Sequence, residues 1–306
     1  MTEEPAPVAG SWFVVLNPVS GRGNASRERT QIEGALRAQN LDVQIAVSEC
    51  AGHTVPLICR ALDEGARHII AAGGDGTMHE AVNAILAHPA ASAVTLAPLP
   101  LGTGNDWCRA LGIDADYASL ARRCAGGRSV QVDIGEAHLA GDPSPRYFAN
   151  VAGAGFDAYV LQRMPDRRFG AAAYLLAVLR GLTGYRPQAM RMTSDGGSYE
   201  GRTFVAFVCL GGYCGGGMHV APGADQRDGF FDVVVVGDLG RLDVLVSLRR
   251  LFDGTIAAHP KVRTLRCTQL TLESADAPVI EADGELIGRA PVTLRVLRGV
   301  LRVCVD

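Results

Sequence analysis

His68-Ile69-Ile70-Ala71-Ala72-Gly73-Gly74-Asp75-Gly76-Thr77 runs from a short apolar stretch straight into a glycine-rich turn. The apolar half lacks polar alternation, as expected of a central strand of a parallel sheet that is covered on both faces. Glycines on either side of Asp75 admit positive φ and let an anion approach the main chain with no Cβ in the way. Thr77 is placed to cap a following helix, for which Ala81, Val82, Ala84, Ile85 and Leu86 supply an apolar face at helical spacing. The free N–H groups and the positive dipole end of that helix then point at the turn, which makes it an anion site.

Two more loops of this kind flank the first. Val94-Thr95-Leu96-Ala97-Pro98-Leu99 reads as a strand and leads to Gly102-Thr103-Gly104-Asn105-Asp106; Trp12-Phe13-Val14-Val15-Leu16 reads as another and leads to Asn17-Pro18-Val19-Ser20-Gly21-Arg22-Gly23. Any one of these is as readily an ordinary connection from strand to helix. All three leave strand carboxyl ends, however, and an open doubly wound sheet gathers such loops at one crevice where ligands bind. The only lysine is Lys261, far from every glycine loop, so no Walker P-loop is present, and no G-x-G-x-x-G opens the first helix. Phosphate charge at this crevice has to meet backbone amides, a metal ion or arginine.

The set Asn17-Pro18-x-Ser20-Gly21, Gly73-Gly74-Asp75-Gly76-Thr77-x-x-Glu80 and Leu99-Pro100-Leu101-Gly102-Thr103-Gly104-Asn105-Asp106 resembles the diacylglycerol kinase catalytic-domain family. More narrowly, it is similar to the soluble bacterial lipid kinases, relatives of sphingosine and ceramide kinases. Ala221-Pro222-x-Ala224-x-x-x-Asp228-Gly229-x-Phe231-Asp232 and Glu281-Ala282-Asp283-Gly284-Glu285 match that family in order, so the resemblance spans nearly the whole chain. The Gly-Asp-Gly turn alone is shared with NAD kinases and phosphofructokinases; the Gly-Thr-Gly-Asn-Asp segment points to the lipid branch.

The resemblance implies an α/β fold: a Rossmann-like nucleotide-binding domain, then a larger β-rich, sandwich-like domain, with the active-site cleft between them. It implies ATP contacts at Asn17, Pro18, Val19, Ser20, Gly21, Ser48, Gly73, Gly74, Asp75, Gly76, Thr77, Gly102, Thr103 and Asn105. It places the general base at Asp283 with Glu285 beside it, and Mg²⁺ at Asp228 with the main-chain carbonyls of Asp225 and Phe230. Three positions depart from the usual pattern: His79 stands where Asn is common, Ser48 where Thr is common, and Arg227 where a second Asp often precedes Asp228. An arginine beside that carboxylate offers an ion pair that weakens a metal contact, whereas a site built mainly on Asp228 and main-chain carbonyls would survive it.

Length and composition agree with this organisation. A chain of 306 residues, 48% of them hydrophobic, can bury two cores. Residues 1–10 form an expected disordered N-terminal segment with no signal-peptide pattern, 11–134 the ATP-binding domain and 135–306 the lipid-binding domain. The second half holds strand runs at 204–209, 231–236 and 265–270 and fewer helices, at 169–182 and 240–252. Residues 292–296 and 300–304 read as a closing hairpin, which packs on the second domain or crosses back to the first. A net charge of −3 with scattered basic residues offers no nucleic-acid footprint. Eight cysteines without a C-x-x-C pair indicate reduced thiols rather than zinc or disulfides.

The apolar stretch 171–179 is too short to cross a bilayer. It reads as a buried helix, or as a surface for membrane lipid with Arg163, Arg167, Arg168 and Arg180 near it. The expectation is a cytoplasmic lipid kinase in transient peripheral contact with the membrane, and a homodimer is compatible with it. The rivals are a NAD kinase-like enzyme and a non-catalytic nucleotide or lipid sensor; a sugar kinase lacks supporting sequence.

Overall fold

A computed structural model of the chain describes residues 11–20, 25–164, 177 and 180–306. Residues 1–10, Gly21, Arg22, Gly23, Arg167, Arg168 and most of the 169–182 segment lie outside the described residues. The chain divides into two compact units, Met1–Val132 with Gly299–Asp306, and Asp133–Arg298.

In the first unit, β1 (Trp12–Leu16), β2 (Val43–Val47), β3 (His68–Gly73) and β4 (Thr95–Pro100) form a parallel sheet in the order β4-β3-β1-β2. Every residue of β1 is buried. Such contiguous burial requires helices on both faces, and the chain supplies them as α1 (Ala25–Arg37), α2 (Thr54–Asp63), α3 (Asp75–Leu86), the short α4 (Asp106–Ala110) and α5 (Tyr117–Gly126). α1 packs with α5, and α2 with α3. Ile32 and Leu36 of α1 and Leu120 of α5 join Val14, Leu16, Ile70 and Leu99 in one core cluster, where each large aliphatic side chain contributes about 1.5–3 kcal/mol by leaving water. From β1 the chain passes to β2 on one side and then to β3 on the other, so the switch point of the sheet lies between β1 and β3.

The second unit is antiparallel. β5 (Ser129–Leu139) leads into it, followed by β6 (Arg146–Phe148), β7 (Val151–Gly155), α6 (Phe156–Leu161), β8 (Gln188–Ser194), β9 (Gly197–Cys209), β10 (Tyr213–Cys214), β11 (Met218–His219), β12 (Phe231–Gly237), α7 (Arg241–Phe252), β13 (Val262–Cys267), β14 (Gln269–Glu273), β15 (Val279–Ala282), β16 (Glu285–Arg289) and β17 (Val292–Cys304). β9 pairs with β8 over its first half and with β7 and β12 over its second. Its own residues alternate between two cores: Val205 and Phe207 face one, Ala206 and Val208 the other.

Two expectations from sequence are corrected here. The run 265–270 is not one strand: it breaks at Thr268, where the Asp195 carboxylate accepts N–H bonds from Thr268 at 2.9 Å and Gln269 at 3.2 Å. Nor is the C-terminus a hairpin. β17 pairs antiparallel with β14 from Val292 to Arg295, turns through Gly299 at φ 57°, and ends parallel to β4 at Arg302 and Val303. Its last residues therefore belong to the first unit, with Leu301 and Val303 fully buried there. Buried Arg123 fastens that end, donating to Pro98 O at 3.1 Å and to the Asp306 carboxylate at 3.3 Å.

Candidate active site

The glycine turn after β3 is built by close approach. None of Gly73, Gly74, Gly76, Gly102 or Gly104 has positive φ, contrary to the expectation from sequence. What excludes a side chain is space: a Cβ on Gly73 would fall 2.2 Å from Thr77 Oγ1, and one on Gly102 would fall 2.5 Å from the Gly74 Cα. The two turns thus lie main chain against main chain. Asp75 ties them, since its carboxylate accepts the N–H of Asn105 at 2.7 Å and of Asp106 at 2.9 Å. Asn105 completes the second turn from a left-handed φ of 54°, its amide exchanging bonds with Gly102 N at 3.0 Å and Gly102 O at 2.8 Å.

Thr77 does not cap α3. Gly74, which has no side chain to cap with, is the N-cap; the Thr77 hydroxyl instead accepts the Asn17 amide N–H at 3.0 Å. That bond spans the switch point, joining the loop after β1 to the turn after β3. Asn17 N–H also donates to Ala72 O at 2.9 Å, and Ser48, buried at the end of β2, donates its N–H to Leu16 O at 2.9 Å. Glu80, one turn along α3, accepts Gly52 N–H at 2.7 Å and Thr54 N–H at 3.1 Å, which caps α2. The loops after β1, β2, β3 and β4 are therefore held together at the carboxyl edge, with Val19 and Thr103 exposed. His79 lies one turn into α3 with Asn83 Nδ2 3.3 Å from its Nε2.

In the second unit Asp283 and Gly284 form the two-residue turn between β15 and β16, with φ of 50° and 81°. A type I′ hairpin favours this dipeptide on backbone grounds alone. Asp283 does more than turn the chain: one carboxylate oxygen accepts Ala149 N–H at 2.8 Å, the other Asn150 N–H at 2.9 Å and Val151 N–H at 3.1 Å. Main chain thus fills three of a carboxylate's roughly four acceptor sites. Glu281, buried beneath the turn, accepts Gly284 N–H at 2.8 Å, and Glu285 opens β16 opposite Ala282.

Asp228, Asp225 and Phe230 share one turn before β12. Asp228 accepts Phe230 N–H at 3.0 Å with one oxygen and pairs with the Arg266 guanidinium through the other. Asp225 accepts both the N–H and the Nε–H of Arg227 at 3.1 Å. Burial pushes the nearby Asp232 carboxyl above the usual carboxylate range, while the Arg266 charge pulls it down and Asp228 pushes it up. Among the described residues no group of three His, Cys, Asp or Glu side chains is placed to hold a metal ion. Of the three positions the resemblance gives to the cation, Asp228 alone would use its side chain, and one of its two carboxylate oxygens is taken by the Arg266 guanidinium.

Two family models cover almost all of this chain: the diacylglycerol kinase catalytic domain matches residues 11–137, and the YegS C-terminal NAD kinase beta sandwich-like domain matches residues 150–305. The chain belongs to the diacylglycerol kinase family of lipid kinases. A Shewanella frigidimarina protein named "Probable lipid kinase YegS-like" is 32% identical to it over 218 residues, 70% of this chain and 69% of its own length. A Staphylococcus aureus diacylglycerol kinase (strain bovine RF122 / ET3-1) is 29% identical over 286 residues, 91% of this chain and 87% of the relative. Solved structures from Bacillus anthracis str. Sterne share the fold. One, described as a diacylglycerol kinase, has TM-score 0.73 at 22% identity, and another has TM-score 0.79 at 24%, each covering 97% of both chains.

Sequence reasoning missed two residues of this lipid kinase. Asn150 is buried and joins the Asp283 turn to the glycine loop at 211–217: its main-chain O accepts Leu210 and Gly211 N–H at 2.8 and 3.2 Å, and its Nδ2 donates to Tyr213 O at 2.7 Å. The signal was a lone Asn between apolar residues, Phe148-Ala149 and Val151-Ala152. Arg266 gave none, because it sits on the solvent side of an ordinary strand pattern in β13.

Proposed function

We propose that this lipid kinase transfers the γ-phosphoryl group of ATP to a hydroxyl of diacylglycerol or a similar lipid. The observation that carries the reading is the pair of ties at the carboxyl edge of the first unit, Asn17 to Thr77 and Asp75 to Asn105 and Asp106, in a member of this family. They preset the switch-point loops around the amino end of α3, where phosphate oxygens meet N–H groups and the helix dipole. In this reading Asn17, Pro18, Val19, Ser20, Gly21, Ser48, residues 73–77, Gly102, Thr103 and Asn105 receive the nucleotide. ATP enters such a transfer as its Mg²⁺ complex, which neutralises charge on the phosphates.

The lipid alcohol oxygen forms the new bond to phosphorus as the bond from phosphorus to the β–γ bridging oxygen breaks and ADP leaves. The alcohol proton passes to the Asp283 carboxylate, with Glu285 beside it. A base positioned in this way accelerates transfer by roughly 10²–10⁴-fold. Three main-chain N–H bonds hold Asp283 in one orientation, so little has to be ordered when the acceptor arrives.

The acceptor is dissolved in a bilayer, so the reading includes transient docking at a membrane surface. Arg163 and Arg180 are the described members of the arginine set suited to anionic head groups. No helix among the described residues is long and apolar enough to cross a membrane.

The test is incubation of the full chain with γ-labelled ATP and total membrane lipid, with NAD as acceptor in a parallel reaction, and identification of the labelled product. Label on a glycerolipid supports the proposal. Label on NAD alone favours the NAD kinase reading, and ATP binding with no labelled acceptor favours a sensor.

A further inference from the structure

The turn from Ala224 to Phe230 is where the family resemblance expects a cation, and it is also where this chain concentrates guanidinium groups. Arg266 pairs with Asp228 and lies 4.4 Å from the centre of the Phe230 ring. Arg298 lies 5.3 Å from the same ring centre and crosses Gly229 so closely that a Cβ there would fall 2.4 Å from its Nε. Arg227, in the position expected to disturb Asp228, turns to Asp225 instead. Asp225 and Asp228 are thus each paired with a guanidinium carried by the chain. The main chain is held by other means: Gly229 N–H donates to the Asp133 carboxylate at 2.7 Å, and Asp133 N–H to Gln226 O at 2.7 Å. Divalent cations need several oxygen ligands at short range, whereas here the free oxygen of Asp228 is met by a group that keeps its charge at any working pH.

We propose that Arg266 takes the place of a divalent cation at Asp228, so that this turn is ordered by a charge carried on the chain itself and the second unit needs no metal of its own. The inference concerns the turn and not the transfer reaction, so it is tested without nucleotide and its failure would leave the proposed function untouched. Thermal unfolding of the full chain is followed by far-ultraviolet circular dichroism after dialysis against EDTA, and again with excess Mg²⁺, Mn²⁺ or Ca²⁺. The expected wild-type midpoint is the same in all conditions. Arg266→Met keeps the apolar stem and removes the charge, and is expected to lower the midpoint by several degrees. A wild-type midpoint that rises with a divalent cation, and no longer does so in Asp228→Asn, would overturn the proposal. So would an Arg266→Met midpoint equal to wild type. Should Arg266→Met fail to fold, the wild-type metal series still decides.

Discussion

Asp75→Ala removes the acceptor that two main-chain donors share. The carboxylate holds Asn105 N–H at 2.7 Å and Asp106 N–H at 2.9 Å, and both donors sit in the turn that packs against Gly74. A hydrogen bond to a charged group contributes about 1.5–3 kcal/mol net, so two would give about 3–6 kcal/mol; because they end on one carboxylate, the lower figure is the working value. That is a large share of the roughly 5–15 kcal/mol that holds a domain together. Urea unfolding read by tryptophan fluorescence isolates the effect. The only tryptophans are Trp12 and Trp107, buried at 4% and 2% exposure in the first unit, and Trp107 directly follows Asp106. At a slope of about 2 kcal/mol per molar urea, the midpoint falls by about 1.5 M. Asp75→Asn keeps the shape and one neutral acceptor, and loses at least about 1.5 kcal/mol. Nucleotide affinity drops in both variants, because the second turn no longer holds its place. An unchanged midpoint in Asp75→Ala would refute the view of Asp75 as the brace between the turns.

The same substitution has opposite signs at two glycines: Gly102→Ala meets the Gly74 Cα at 2.5 Å and costs about 1–3 kcal/mol with loss of nucleotide affinity, whereas Gly34→Ala, on the exposed face of α1 with nothing within 4 Å, stabilises by up to about 1 kcal/mol in the same urea assay. Asp283→Asn lowers kcat by about 10²–10⁴-fold while nucleotide affinity is retained, and a folded variant with wild-type turnover would remove Asp283 as the base. Native-state labelling by a thiol reagent at neutral pH, mapped by peptide mass, reaches exposed Cys50 first and half-buried Cys59 and Cys214 slowly. Cys108, Cys124 and Cys209 stay unlabelled, as do Cys267 and Cys304, whose thiols burial pushes up to about 11. Fast modification of Cys304 would mean that the end of β17 leaves its seat.

How legible each element was depended on what buries it. β1, β3 and β4 are covered on both faces, so apart from His68 and Thr95 at the starts of β3 and β4 their sequences are apolar runs without polar alternation. β7 was invisible for the opposite reason. Its Val151-Ala152-Gly153-Ala154-Gly155 has little β propensity, yet small residues are required, because a Cβ on Gly153 would come within 2.6 Å of Glu281 Oε1 and 3.2 Å of Ala206 O. The break at Thr268 and the path of β17 were hidden because each depends on a partner far along the chain: Asp195 for the first, β4 and Arg123 for the second.

At the candidate site, the motifs marked the loops and concealed how the fold uses the acids in them. Asp75, Glu80, Glu281 and Asp283 all accept N–H groups of a turn, three of them from residues more than twenty positions away. An acid in such a motif is therefore constrained by folding before any chemistry is asked of it, and loss of activity on its removal cannot by itself mark it as catalytic. Asp283 can be separated from the others because the proposed reaction asks it to take up a proton while the fold asks it only to accept N–H bonds. Asn retains one acceptor oxygen and shape but supplies no base, so turnover should fall by far more than the modest stability change accounts for. At Asp75, by contrast, stability and nucleotide affinity should fall together across Asn and Ala, in proportion to the acceptors removed.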